Sequence, residues 1–282
     1  MQIGKIVKDS LKYPFTDWKK FLILGIIILI YNLSGITDIF GVKNSYIIGI
    51  LAVIGFIIVF LVNGYLFRVI KLSLDEKAEF PEFNNWINTG IEGLKVFTAN
   101  IVYFLPAILI TFILTVFYGS YLTSEFQVVG LNTFEYSISL ISVVIPEILN
   151  LLSFLFIFFQ FIDGIEPGAI SIILIGMLYI IVIIPIFSIA IANMAHYESE
   201  LRAAFRFGEI IEDIKDIKLK NLIIWYIVTG ITVLILYIIA NIISYALSFI
   251  HPIIPMIIMS IIFLPYIYIY VAKSLALMYI SE

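Results

Sequence analysis

Residues Tyr46 to Phe67 read YIIGILAVIGFIIVFLVNGYLF, a run without a charge and with a single amide, Asn63. A helix rises about 1.5 Å per residue and the hydrocarbon core of a bilayer is about 30 Å thick, so a helix over this run, about 33 Å long, predicts a membrane crossing. Similar runs lie at Phe21 to Ile36, Val96 to Tyr118, Ala169 to Ala195, Leu222 to Phe249 and Ile253 to Ala272, with a less uniform one at Ile138 to Ile162. The chain of 282 residues is 62% hydrophobic and 13% charged, whereas soluble domains hold about 45–50% apolar and about 25% charged residues. Such a composition cannot clothe a water-soluble surface. The expected fold is all-α, a polytopic transmembrane bundle over residues 21–282 behind an amphipathic cytoplasmic arm at 1–20. The first run is read as retained, because five lysines precede it and no small-x-small cleavage site follows.

The sixteen basic residues decide how many runs cross. Cytoplasmic segments hold the excess of Lys and Arg. With seven crossings the inside would carry nine and the outside seven; with the 138–162 run kept outside, the inside carries fifteen and the outside only Lys43. Six spans are expected, with both termini cytoplasmic, the protein in the plasma membrane, and 138–162 an outer re-entrant or interfacial segment; seven spans are the alternative. The 138–162 run also opens with Ser139, Ser142, Pro146 and Glu147, costly residues at bilayer depth unless they lie at the interface.

Two inner connections read as amphipathic elbow helices. From Phe80 to Lys95, the residues Phe83, Trp86, Ile87, Ile91 and Leu94 form one stripe, with Asn84, Asn85, Asn88, Thr89 and Glu92 facing away. Phe83 and Trp86, with Trp18, are the candidate interfacial anchors. From Tyr197 to Lys220, Leu201, Ala204, Phe205 and Gly208 make a packing strip continued by Ile211 and Ile214. Charges there are spaced to pair at Glu198–Arg202, Arg206–Glu209 and Asp216–Lys220. The sharper alternative has Arg202 and Arg206, one helical turn apart, holding a lipid phosphate; Arg68, at the inner end of the second run, is a further headgroup candidate.

Amides recur along the runs, notably Asn63, Asn100 and Asn193, with Asn32, Asn150 and Asn241. They read first as interhelical glue and second as a polar path for a small permease. Chemistry is otherwise sparse. The absence of cysteine removes disulfides and thiolate sites, and His196 and His251 are too few for a His-rich metal centre. No Walker A loop, H-E-x-x-H or G-x-S-x-G motif occurs. No cofactor, metal or catalytic set is expected, and no nucleic acid, since no basic run accompanies the net charge of -4. The expected partners are membrane lipids and another membrane protein or a second copy. A non-enzymatic subunit or scaffold is the leading reading, a permease the alternative and a lipid-acting enzyme the third.

Particular motifs carry a resemblance. Tyr13-Pro14-Phe15 with Asp17-Trp18-Lys19, Gly64-Tyr65 with Arg68, Pro81-Glu82-Phe83 with Trp86 and Gly90 to Lys95, Ala192-Asn193-Met194-Ala195, Ala203-Ala204-Phe205-Arg206-Phe207 and Pro265-Tyr266 together resemble the domain-of-unknown-function family 4013. The resemblance implies a multi-pass prokaryotic, mainly archaeal, membrane protein and assigns no activity.

Overall fold

The computed structural model describes residues 2–33, 44–75, 79–118 and 167–281. Among them the regular structure is all helical: α1 (Ile3–Lys12), a 3-10 turn (Tyr13–Phe15), α2 (Trp18–Tyr31), α3 (Ser45–Leu74), α4 (Trp86–Tyr118), α5 (Pro167–His196), a 3-10 turn (Leu201–Phe205), α6 (Phe207–Ile217), α7 (Leu219–Ser248), α8 (Ile253–Ile258), a π turn (Met259–Phe263) and α9 (Leu264–Tyr279). Four helices are long and apolar enough to cross a membrane: α3, α5 from Leu174 to His196, α7, and the continuous run Ile253–Tyr279. The 138–162 segment lies outside the described residues, as do residues 34–36 of the first apolar run.

Helix starts follow local chemistry. Asp17 accepts the Lys20 amide at 3.1 Å ahead of α2, and Asn44 accepts the Tyr46 amide at 3.0 Å ahead of α3, each satisfying a donor that the first turn leaves free. His251 does the same for Ile253 at 3.2 Å through Nδ1, so this histidine caps the last crossing. The described α2 has 14 residues, about 21 Å of helix, short of the hydrocarbon thickness.

The core gathers on α9, which is buried on almost every face from Pro265 to Met278 and packs against α1, α2, α3, α5 and α7. Trp225 Nε1 of α7 donates to Ser274 Oγ at 2.8 Å, giving a buried indole its one required partner. Pro265 has no amide hydrogen for the Ile261 carbonyl four residues back, and the π turn falls across this gap. Gly25 of α2 presses there: a Cβ at Gly25 would lie 2.3 Å from the Ile261 oxygen. One turn further on, Asn32 Nδ2 donates to Ser260 Oγ at 2.9 Å. Outward faces are apolar, as in the stripe Ile223, Ile227, Ile231 and Ile235 on α7, which suits lipid contact.

Both elbows differ from the expected form. No separate helix runs from Phe80 to Lys95; the chain is irregular to Asn85, whose φ of 51° is left-handed, and α4 then runs unbroken for 33 residues. The stripe of Trp86, Ile87, Ile91 and Leu94 is real but continues the lipid-facing side of α4, since it is exposed. The 197–220 connection is a 3-10 turn followed by α6. There Ile210 and Ile217 are buried with Ile214 packed on them, while Ile211 is exposed and Gly208 has nothing within 4 Å of its Cβ position. The expected strip was shifted by the 3-10 turn, which completes a revolution in about three residues instead of 3.6 and rotates everything after it.

Candidate functional site

The charged residues of the described chain that form ion pairs cluster at one end of the bundle, where α1, α2, α3, α4, α5, α6 and α9 begin or end. Lys20 donates to the Phe80 carbonyl at 3.0 Å and to Glu82 at 2.6 Å. Beside it, Tyr13 donates to the Glu79 carbonyl at 2.9 Å and stacks on Phe80, centroids 4.7 Å apart. Burial pushes the Tyr13 phenol above its ordinary value, so it stays a donor. Lys273 of α9 is buried and sets its ammonium 4.7 Å from the Tyr13 ring centre, a cation–π contact instead of the snorkelling expected of it.

The α3–α4 junction continues this cluster. Tyr65 donates to the Pro81 carbonyl at 3.3 Å and stacks on Phe83 at 4.3 Å. Phe83 is therefore half-buried against the core and is not a lipid anchor, while Trp18 and Trp86 are 49% and 44% exposed as anchors require. Arg68 Nε meets Glu92 at 2.5 Å and Nη1 donates to the Asn84 carbonyl at 3.1 Å; with both side chains largely shielded, Arg68 is not free for a headgroup. Behind the ion pair the two helix backbones touch. A Cβ at Gly64 would lie 1.8 Å from the Thr89 oxygen, and one at Gly93 1.8 Å from the Phe60 oxygen.

The α5 end docks on the same cluster. Glu198 and Ser199 both have left-handed φ, 50° and 68°, a strained pair for residues with side chains. Three contacts hold them: Lys71 with Glu198, Lys95 Nζ to the Ser199 carbonyl at 2.8 Å, and Ser199 Oγ to Glu92 at 3.4 Å. Glu198 is thus engaged with α3, and Arg202 is left exposed without an acid partner among the described residues. Arg206 pairs with Glu200 at 2.7 Å and Glu209 at 3.4 Å and lies over Tyr197. The Arg202–Arg206 phosphate clamp does not form, because the backbone between them is 3-10 and one arginine is internally neutralised.

Among the amides, Asn193 Nδ2 donates to the Ala203 carbonyl at 3.1 Å, and Tyr103 donates to Ala204 at 2.7 Å, so both fix the 3-10 turn to the bundle. Asn193 is glue. Asn100 is buried on α4. Asn63 is 1% exposed and neither amide atom has a protein hydrogen-bond partner. Asn241 bonds back to the Tyr237 carbonyl of its own helix at 2.8 Å, and Asn150 lies outside the described residues. Among the described residues no three His, Asp or Glu side chains form a metal-binding group.

The residues just described include nearly all the motifs quoted from the sequence, and the family comparison returns the same chain segment. Residues 47–245 match the family described as protein of unknown function DUF4013. The chain belongs to the DUF4013 family. No curated protein and no solved structure matches it. Tyr13 to Lys19 and Pro265-Tyr266 fall outside the DUF4013 match, yet Tyr13, Asp17 and Tyr266 pack into the same end as the matched motifs: Tyr266 donates to the Leu11 carbonyl at 2.9 Å. The contacts not anticipated from sequence are those of Gly93, Lys20, Lys95 and Tyr103. Gly93 carried a signal, standing three residues after Gly90 on a helix with no other reason for two glycines; the others join residues 60 to 104 positions apart, where spacing holds no information.

Proposed function

We propose that this DUF4013 protein is a non-enzymatic, six-span protein of the plasma membrane with both termini cytoplasmic, acting as a scaffold or partner subunit for another membrane protein. One observation supports this above all: the polar motif residues join one element of the chain to another. Tyr13, Lys20, Tyr65, Arg68, Lys95, Tyr103 and Asn193 each bind a carbonyl or carboxylate on a different segment. Such a set makes a rigid end, and the outward faces left over are apolar. A shallow groove of about 350 Å³ between α3 and α4, lined by Ile57, Phe60, Trp86, Ile87, Ile91 and Leu94, has no polar lining atoms.

The test is crosslinking in the native membrane. The chain has no cysteine, so Ile87→Cys and Ile91→Cys carry single crosslinkers without background; a specific second membrane protein recovered at both sites supports the scaffold reading, and recovery of lipid alone at both contradicts it. Single cysteines at 132, 218 and 282 with an impermeant reagent test the topology. Labelling from outside at 218 would overturn six spans.

A permease is the second reading, favoured by Asn63, whose unpartnered buried amide is costly in a bundle interior. Substrate-dependent flux in proteoliposomes that is lost in Asn63→Leu would establish it.

A further inference from the structure

The N-terminal arm carries a charged face that none of these contacts uses. In α1, Ile6 and Ser10 are buried, the Leu11 carbonyl is held by Tyr266 at 2.9 Å, and the helix packs along α9, so its orientation is fixed. Lys5, Lys8 and Lys12 recur at spacings of three and four, which places them within an arc of about 60° on the opposite side. All three are exposed, as is Lys19 beyond the 3-10 turn, and none has an ion-pair partner among the described residues. Lys20, the next residue, is bound to Glu82 and the Phe80 carbonyl. The helix's own acid, Asp9, is half-buried. The patch is not a by-product of a basic chain, since the protein's net charge is -4.

Its neighbours indicate what it meets. Phe15 and Trp18 stack with ring centres 6.3 Å apart and are 61% and 49% exposed, and Trp18 is the first residue of α2. Exposed aromatics at the mouth of an apolar helix sit at headgroup depth, and lysines beside them lie within reach of phosphate. A soluble acidic partner would account for the lysines and leave the two rings unexplained. We propose that Lys5, Lys8, Lys12 and Lys19 form a binding face for the anionic phosphate headgroups of the leaflet bordering α2, with Phe15 and Trp18 as its interfacial anchor. This face is independent of the scaffold reading and would survive its failure.

The test uses the full-length chain in detergent, with native mass spectrometry of retained phosphatidylglycerol against phosphatidylcholine. The wild type should prefer phosphatidylglycerol. Combined Lys5→Gln, Lys8→Gln and Lys12→Gln should cut that preference at least tenfold, at roughly 1 kcal/mol or fivefold per lysine near the surface, while the same three positions as Arg keep it. Raising salt tenfold should weaken the wild-type preference, because exposed charges are screened; this arm needs no variant to fold. An unchanged preference in the Gln variant, insensitivity to salt, or full displacement of phosphatidylglycerol by inorganic phosphate at equal concentration would each overturn the proposal.

Discussion

Between α3 and α4 residues 79–85 carry no helix, and the two long helices touch backbone to backbone at Gly64 and Gly93. Between α5 and α7 the chain inserts a 3-10 turn and the whole of α6, and long side chains make the contacts. The first junction is closed by atoms that cannot move without moving a helix. The second is closed by Arg206, Glu200, Glu209 and Tyr197, which can find other rotamers. Rigidity therefore differs between two connections at the same end, and substitutions should report it.

The largest effect is expected at the first junction. Gly64→Val places a side chain onto the Thr89 carbonyl and should cost about 3 kcal/mol or more, at the upper end of overpacking, seen as loss of a monodisperse species. Its counterpart Gly208→Ala meets open space and should be neutral or stabilising by up to about 1 kcal/mol through helix propensity. A destabilised Gly208→Ala would break the comparison.

Next come the two arginines. Arg68→Ala strands Glu92 in a site where both side chains are only 16–17% exposed and should cost about 3 kcal/mol in thermal unfolding followed by tryptophan fluorescence. Arg206→Ala removes pairs that are 33–47% exposed, and water screens those to about 1 kcal/mol or less. Equal losses would show that the second junction is as closed as the first.

The amides sharpen the contrast further. Asn193→Ala frees the Ala203 carbonyl and should cost about 1–3 kcal/mol, loosening the 3-10 turn and raising proteolysis there. Asn63→Leu removes an amide that has no protein partner and should be neutral or stabilising. A cost at Asn63 would mean that its amide is engaged, as the permease reading requires.

The smallest effect is a pH dependence confined to α6. Burial raises the Asp213 pKa, against a lowering contribution from its hydrogen bond with Tyr279, which donates to it at 3.0 Å. A raised native pKa means that the folded state holds the proton where the unfolded one has lost it. Stability should accordingly fall as pH rises from about 3.9, the ordinary Asp value, through the native pKa, and level off above. Asp213→Asn should remove that slope; an unchanged slope would mean that it comes from another group.

Legibility varied along the chain for physical reasons. The long apolar runs were plain because a lipid-facing helix needs nothing but continuous apolar residues, and α3, α5, α7 and the final run extend the expected boundaries by only a few residues. The elbow at 80–95 was misread because an amphipathic stripe marks a boundary between lipid and protein as readily as one between membrane and water. Trp86, Ile87, Ile91 and Leu94 have the same spacing in either case. The Arg202–Arg206 clamp was misread because helical spacing was assumed where the backbone is 3-10. Arg206–Glu209, which does lie at a helix start, paired as expected.

Composition and run length by themselves determined a helical membrane protein, and the motifs determined its family, since both are properties of residues in linear order. Which arginine is free, which aromatic faces lipid and which asparagine is satisfied were decided only by the tertiary structure. Each of those depends on a partner from a distant segment, as Lys95 depends on Ser199 and Arg68 on Glu92. Within a bilayer an apolar surface is equally content against lipid or protein, so hydrophobicity alone does not choose between them; the packing of Gly64 on α4 and of α9 among its neighbours makes that choice.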